Sequence, residues 1–235
     1  MNIKFDLENL ELLNGNIKEV FVKARRGKSK VTRIPLILDE ELAFFIAVVI
    51  GDGHLKKDKK QISIELTNED LLVNINKVVY NLFKINFNIS KRKERPNHKN
   101  SFILILDNTA IYNLIKKSFK IPSGKKSNIV NIPTEIINAN KSIIASFLIG
   151  IMVTEGGKRK RGIGLSTASQ ELWINLIDSF NKLNIRILKD KWTYHKYNKE
   201  YYGLVFKKDH LTNLIDMCDN TDIRKIIRSC ENLKV

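Results

Sequence analysis

Residues 45–53, FIAVVIGDG, and residues 148–156, LIGIMVTEG, are two copies of one segment that aligns Asp52 with Glu155. Small residues recur at every fourth position around both copies, and on a helix this spacing places them on one face. They are Ala43, Ala47 and Gly51 in the first copy and Ser146, Gly150 and Thr154 in the second. Such a stripe lets two helix backbones approach closely. The other positions are apolar all round, as in buried helices, so the sequence predicts two core helices packed along their stripes.

Each predicted helix ends in a carboxylate and a glycine, Asp52–Gly53 and Glu155–Gly156. We expect both glycines to supply the left-handed helix stop that glycine commonly provides. A carboxylate at this end faces the negative pole of the helix dipole, and two neighbouring carboxylates repel each other. A divalent cation such as Mg²⁺, which prefers oxygen ligands, relieves both costs. Two helices that merely share this ending are the plainer interpretation, but two copies in register favour a metal site.

The two segments resemble the paired motifs of single-chain LAGLIDADG homing endonucleases, and the resemblance runs from about Leu38 onward. The second copy follows the family pattern in Gly150 and Glu155–Gly156, whereas the first has Ala47 where the family usually has glycine. The resemblance implies a monomer of intron- or intein-encoded origin that cuts both strands of DNA across the minor groove. It also implies that the backbone carbonyls of Gly51 and Thr154 complete the metal ligand set.

Composition and periodicity divide the chain into four parts: an N-terminal extension (1–37), a first repeat (38–119), a linker (120–139) and a second repeat (140–235). Alternating strand patterns and helix-capping signals give each repeat the order α-β-β-α-β-β-α. One strand is predicted in the extension, at 31–38. Sequential hairpins with helices on one side imply an antiparallel sheet whose other face is open. The predicted fold is therefore α+β, with two pseudo-symmetric repeats packed through the motif helices.

The overall composition favours a nucleic-acid partner. Lys and Arg total 41 against 25 Asp and Glu, a net charge of +16, and 43% of the residues are hydrophobic, enough for a core. Such an excess suits a polyanion, although a merely basic protein is the plainer interpretation. The two cysteines lack a CxxC spacing, the start lacks a signal-peptide layout, and the longest apolar run is too short for a bilayer. We expect a soluble intracellular protein, in the cytoplasm or an organelle or nucleoid compartment.

The open sheet faces and their tips carry polar and basic residues suited to the major groove, which admits a two-stranded ribbon. A solvated face explains each residue singly, but the basic tips at 91–99 and 189–199 occupy matching positions in the two repeats. We therefore expect double-stranded DNA with a long pseudo-palindromic target. The candidate DNA-binding residues are Gln61, Ser63, Asn88, Ser90, Arg92, Lys93, Lys125, Arg159, Ser166, Lys191, His195 and Lys196.

Phosphodiester hydrolysis requires an activated water, charge neutralisation and assistance to the leaving oxygen, and metals held by Asp52 and Glu155 supply all three. Mg²⁺ is the expected cofactor; Mn²⁺ should substitute, and Ca²⁺ should support binding without cleavage. The resemblance also implies a ring of basic residues, for which Lys158 is the first candidate and Lys125 or Lys126 the next. Leu55 takes the place of Lys158 in the first repeat, so the ring is asymmetric.

The sequence thus predicts a site-specific, metal-dependent double-strand DNA endonuclease of the homing type. The alternative is an RNA maturase or a non-cleaving nucleic-acid-binding regulator on the same fold. The presence of both acidic residues favours the enzyme, because a pure binder has little reason to place two carboxylates near phosphates.

Overall fold

The computed structural model describes residues 11–13, 17–22, 30–92, 100–194, 199–230 and 233. An antiparallel sheet precedes the first repeat and consists of β1 (Glu11–Leu13), β2 (Ile17–Val22) and β3 (Lys30–Pro35). The sequence predicted only the last of these strands. β3 lies against the first repeat, where the buried Asn108 donates a hydrogen bond of 2.7 Å to Thr32 Oγ1.

The first repeat follows the predicted order. Its elements are α1 (Glu40–Gly51), β4 (Gly53–Lys56), β5 (Gln61–Leu66), α2 (Glu69–Phe83), β6 (Ile89–Lys91), β7 (Phe102–Leu106) and α3 (Thr109–Asn113). One α-helix was predicted over 109–119, but the chain continues from α3 as a π-helical turn, Leu114–Ser118. A short helix, α4 (Thr134–Ile137), lies in the predicted linker.

The second repeat has the same order and one further helix. Its elements are α5 (Lys141–Glu155), β8 (Gly157–Arg159), β9 (Gly162–Thr167), α6 (Gln170–Lys182), β10 (Leu188–Tyr194), β11 (Lys199–Phe206), α7 (Lys208–Asp216) and α8 (Thr221–Ser229). The first sheet has the strand order β4-β5-β7-β6 and the second the equivalent order β8-β9-β11-β10, all antiparallel. The predicted α+β fold of two such repeats is confirmed.

The two motif helices α1 and α5 pack along their small residues, as predicted. A Cβ atom at Gly150 would lie 2.6 Å from Ala47 Cβ and 2.7 Å from the Phe44 carbonyl oxygen. A Cβ atom at Gly51 would lie 2.2 Å from Thr154 Oγ1. The backbones therefore approach more closely than larger side chains allow, and both helices are buried in the core over most of their length.

The expected role of the two motif-ending glycines is wrong. Gly156 has a φ of −78°, and the described glycines with positive φ are Gly124 and Gly162. The motif-ending glycines are required by space instead. A Cβ atom at Gly53 would lie 2.5 Å from Val49 Cα, and one at Gly156 would lie 2.2 Å from the Met152 carbonyl oxygen. Glycine lets the chain leave each helix close against the last helical turn.

Among the described residues, no helix combines the length and the apolar character needed to cross a lipid bilayer.

The helix contact predicts a stability difference between two glycine substitutions. Gly150→Ala inserts a methyl group into the contact between α1 and α5, so we expect it to lower the free energy of unfolding by about 1–3 kcal/mol. Gly157→Ala is the matched control, because a Cβ atom there meets no atom within 4 Å. Denaturant unfolding of the two variants measures the difference. Equal stability would contradict the close packing of the two helices.

Candidate active site

The carboxylates of Asp52 and Glu155 lie side by side where α1 and α5 end. Asp52 is partly buried, and burial, with the nearby negative charge of Glu155, raises its pKa to about 7. Glu155 is exposed as a residue, but protein atoms around its carboxylate reduce its solvation and raise its pKa as well. The expected meeting of two like charges is therefore confirmed, and in both residues the protein disfavours the ionised form.

Lys126 is the basic residue placed between these carboxylates. Its Nζ donates hydrogen bonds to the carbonyl oxygens of Val49, Ile50 and Gly51, the last at 3.0 Å. These carbonyls end α1 without helical partners and carry the negative pole of its dipole. Burial lowers the pKa of Lys126 to about 8, although the charges of Glu155 and Asp52 act in the opposite direction. One ammonium group therefore binds the negative end of α1 and favours the ionised forms of both acids.

Hydrogen bonds from both repeats hold the linker segment that carries Lys126. Gly124, in the left-handed region with a φ of 80°, donates its N–H to the Leu55 carbonyl of the first repeat at 3.1 Å. On the other side the buried Ser169 hydroxyl donates to the Val130 carbonyl at 2.7 Å. The segment closes on itself through Val130 N–H, which donates to the Lys126 carbonyl at 2.9 Å. The linker is thus a strap fixed at both ends across the helix pair.

The structure ranks the lysines differently from the sequence. Lys158, the first candidate, lies exposed on β8, opposite Ile163 of β9. Lys126 is the cation that favours the ionised forms of both Asp52 and Glu155. Lys125 is exposed. We conclude that the cation that acts on both carboxylates comes from the linker.

Oxygen ligands of the type preferred by Mg²⁺ are present at this site. Asp52 and Glu155 provide two carboxylates, and the Gly51 carbonyl lies beside them, at 3.0 Å from Lys126 Nζ. The Thr154 hydroxyl points back into its own helix and donates to the Gly150 carbonyl at 3.1 Å; the predicted ligand is the Thr154 backbone carbonyl, and that assignment stays a prediction. Burial, and after it the charge of Glu155, raises the pKa of Asp52, and a hard divalent cation at this place would favour the ionised form. The residues therefore fit such a cation.

A metal at this site would need ligands besides protein side chains. Within the described parts of the chain, no group of three or more His, Cys, Asp or Glu side chains is arranged to hold a metal ion. A metal at Asp52 and Glu155 therefore requires oxygen ligands from the backbone, the substrate or water, which is typical of Mg²⁺.

A cavity of about 190 Å³ opens beside Glu155 on the side of the second repeat. Ser166, a candidate from the sequence, lines it together with Lys199 and Tyr201, which sequence reasoning missed. Lys199 Nζ donates to the hydroxyl of Ser127 at 3.4 Å, next to Lys126 in the strap. Lys199 lies within the predicted basic tip 189–199 but was not named as a candidate, and Tyr201 follows that tip closely.

The candidate DNA-binding residues divide between two sheet faces. The register places Gln61 and Ser63 on the open face of the first sheet, together with Glu65, which accepts from both Arg92 and Ser101. Ser90 pairs with Ile103 on that same face, and Asn88 is exposed just before β6.

In the second sheet, Arg159 Nη2 donates to Ser166 Oγ at 3.3 Å across the open face. The prediction for Lys191 is wrong in its face: the residue pairs with Tyr202, whose ring packs on Trp173 of α6. There Lys191 forms an ion pair of 2.8 Å with Glu200. Lys93, His195 and Lys196 lie outside the described residues.

No protein-family model matches the chain. Two curated relatives are similar to most of it: the replication factor C small subunit of Methanocaldococcus jannaschii, 29% identical over 197 residues, and an A-type ATP synthase subunit of Pyrococcus abyssi, 28% identical over 173. These matches cover 83% and 72% of this chain. The chain spans only 10% and 16% of the length of those relatives.

Solved structures share the fold at low sequence identity. The structure of I-DmoI with DNA and manganese matches with a TM-score of 0.56 at 15% identity, over 78% of this chain and 99% of the other. The homing endonuclease I-WcaI bound to its DNA recognition sequence matches with a TM-score of 0.55 at 16% identity, over 81% and 87%. Full-length DUF199/WhiA of Thermatoga maritima matches with a TM-score of 0.53 at 12% identity, over 85% and 63%. The chain therefore has the fold of the homing endonuclease I-DmoI.

The raised pKa of Asp52 predicts how stability depends on pH. In EDTA, the folded protein keeps the Asp52 proton up to about pH 7, whereas an unfolded chain releases it near pH 4. Stability from this group is therefore present below pH 4 and is lost as the pH rises to 7. We expect Asp52→Asn to melt increasingly above the wild type between pH 5 and pH 8. Asp58→Asn, in the exposed β4–β5 turn, is the control, and a constant difference across that range would contradict the assignment.

Proposed function

We propose that this chain is a site-specific, metal-dependent DNA endonuclease of the LAGLIDADG homing type that cuts both strands of its target. The observation that carries the proposal is the group formed by Asp52, Lys126 and Glu155 at the ends of two paired helices. Structural and ion-pair sites also perturb pKa values. Here the pKa values of two acids are raised and that of one lysine is lowered at a single place, and this combination favours a functional site.

Double-stranded DNA is the substrate that the surroundings of this site favour. Each repeat presents an antiparallel sheet with one open face, a shape that a major groove admits. The net charge of +16 supplies phosphate affinity. Because the repeats 38–119 and 140–235 are pseudo-symmetric within one chain, a monomer should cover two half-sites of a long, roughly palindromic target. Solved proteins of this fold bound to DNA support this substrate.

Asp52 and Glu155 would hold the metal, together with the carbonyls of Gly51 and Thr154. When bound, Mg²⁺ supplies water activation and neutralisation of charge at the scissile phosphate. Mn²⁺ should substitute and Ca²⁺ should support binding alone; structures of I-DmoI with manganese and with calcium are consistent with divalent-ion binding on this fold. Since a ligating carboxylate must be ionised, metal binding should release the proton that Asp52 retains near neutral pH.

Lys126 acts beside the metal ligands. With a pKa of about 8, its ammonium group exchanges a proton near neutral pH, which general acid–base chemistry requires. While protonated, it stabilises negative charge at the phosphate, and its bonds to the end of α1 keep it oriented. The strap holds it in place, so little reorganisation is needed during the reaction.

The two curated relatives support a mobile origin. One is a replication factor and the other belongs to an ATP synthase. Proteins of such different function share a segment like this chain, which amounts to a small part of each. A module inserted into unrelated hosts explains this distribution, and an intron- or intein-encoded endonuclease is such a module. An intracellular location follows from that origin.

The function predicts cleavage that depends on metal and on both acids. Incubation with a randomised duplex library and Mg²⁺ should enrich one long sequence among the cut ends. With EDTA or Ca²⁺ the same sequence should be bound and left intact. Asp52→Asn and Glu155→Gln should lose cleavage and keep binding, since a neutral amide is a far weaker ligand for Mg²⁺. Cleavage in excess chelator would contradict the metal mechanism, and specific binding without cut ends in Mg²⁺ would instead favour a binding regulator.

The two lysine candidates give opposite expectations. Lys126→Met should reduce the single-turnover cleavage rate by about 10²–10⁴-fold, the range for loss of a general acid or base. Lys158→Met, on exposed β8, should change that rate by only a few-fold. The rates are measured on the recovered site with Mg²⁺, and melting temperatures establish that both variants are folded. A larger loss in the Lys158 variant would reverse the assignment.

A further inference from the structure

The open face of the second sheet carries large apolar side chains in contact with solvent. Leu188, Trp192 and Tyr194 of β10 are 52%, 40% and 47% exposed. They alternate along one strand, so they share one face of the sheet. The register pairs Leu188 with Val205 and Trp192 with Tyr201 of β11, which places these partners on the same face. We call this set, with Gly203, the aromatic face.

An open hollow of about 650 Å³ lies on the aromatic face and is lined by its members Leu188, Trp192, Gly203 and Val205. Gly203 makes the space for the indole of Trp192, since a Cβ atom there would lie 2.9 Å from that ring. The indole also stacks on the ring of Tyr201, with centroids 6.0 Å apart and planes 15° from parallel. Leu188 and Val205 form the rest of the apolar floor. Trp192 is thus held by its neighbours, and its exposed surface is preorganised.

A basic rim borders this apolar floor. Arg159 at the end of β8 and Lys160 and Arg161 of the β8–β9 turn line the hollow. Asp190, which pairs with Gly203 on this face, is the one acid among the lining residues. An apolar surface with such a rim is complementary to a partner with apolar groups between rows of negative charge. A DNA major groove fits this description, because thymine methyl groups lie between two phosphate backbones.

The open face of the first sheet differs in chemistry. It presents Gln61 and the carboxylate of Glu65, which is bonded to Arg92 and Ser101, whereas Ser63 on the same face is buried. Ile103 and Ile105 share this face but are half-buried, and among the described strands of that sheet no large apolar side chain is exposed as much as those of β10. The first face therefore offers hydrogen-bond donors and acceptors, whereas the second offers apolar contact.

We propose, resting on the proposed DNA endonuclease function, that the aromatic face recognises thymine methyl groups in the major groove. The half-site under the second repeat is then specified by its thymines, and the half-site under the first repeat by hydrogen bonds to base edges. Thymine is the natural base that presents a methyl group in the major groove. The basic rim contacts phosphates, which fixes the register of the sheet on the duplex.

Replacement of thymine by uracil removes only the methyl group and tests the proposal. The site recovered from a randomised library is synthesised with uracil in neither half, one half, the other half or both. In Ca²⁺, uracil in one half should weaken binding by about fourfold per contacted thymine, the value for one buried methylene-sized group. Uracil in the other half should have little effect.

Variants assign the sensitive half to the second repeat. Leu188→Ala, on the exposed edge strand, should bind thymine and uracil versions of that half with nearly equal affinity. Ile174→Ala is the matched control, because this residue is 43% exposed on α6, which packs on the other face of the same sheet. It should keep the full discrimination. Trp192→Phe, which retains a ring over Gly203, should reduce the discrimination only in part.

The outcomes separate this inference from the function on which it rests. Specific binding that is indifferent to uracil in both halves overturns the methyl recognition alone. Equal discrimination by Leu188→Ala and the wild type also overturns it, as does equally tight binding of the single strands, which would indicate base stacking on Trp192. Failure to recover any specific duplex overturns the proposed function and this inference with it.

Discussion

The close approach of α1 and α5 is the contact on which the rest of the molecule depends. Gly150 has no side chain, so Ala47 and the Phe44 carbonyl of the other helix occupy the space that a Cβ atom would need. Because the two helices run together to their last turn, the residues that follow them meet, and Asp52 comes within electrostatic range of Glu155. The same contact joins the two repeats and sets their sheets on either side of the acids. Packing and chemistry are thus determined by one stripe of small residues.

Asp52 and Lys126 at this contact both change protonation state near neutral pH. Burial raises the pKa of Asp52 to about 7 and lowers that of Lys126 to about 8. Each group alone is disfavoured in its charged form, and each favours the charged form of the other. A proton therefore moves on or off this site near neutral pH, which an isolated surface carboxylate or lysine does not allow. The packing of the buried helices α1 and α5 stabilises the fold and offsets the free-energy cost of burying these charged groups.

The sequence predicted what is local or periodic, and missed what depends on tertiary contacts. The duplicated segment indicated the helix pair, its small stripe and the meeting of Asp52 with Glu155. The position of Lys126 is determined by the strap. The hydrogen bonds of the strap to Leu55 and Ser169 join residues far apart in the chain and follow no periodic pattern in the sequence. Lys191 was assigned to the wrong face because every residue of β10 is exposed, and its alternating apolar residues, Leu188, Trp192 and Tyr194, lie on the open face instead of the covered one. The sequence identified the positions of the motif-ending glycines correctly. It assigned them to a left-handed backbone conformation, whereas glycine is required there because a Cβ atom would have no space.

The two repeats share a fold, yet the side chains around their two acids differ in chemistry. A single linker joins them, so a single Lys126 serves both acids, and it binds the end of α1 rather than that of α5. The equivalent positions Leu55 and Lys158 have diverged into a buried core residue and an exposed cation. The cavity beside Glu155 is lined mainly by residues of the second repeat, together with Ile50 and Gly51 of the first. Pseudo-symmetry of the backbone therefore relates the two sheets, while the side chains around each acid differ. The linker contributes to this asymmetry through Lys126, and differences within the repeats, such as Leu55 and Lys158, contribute the rest.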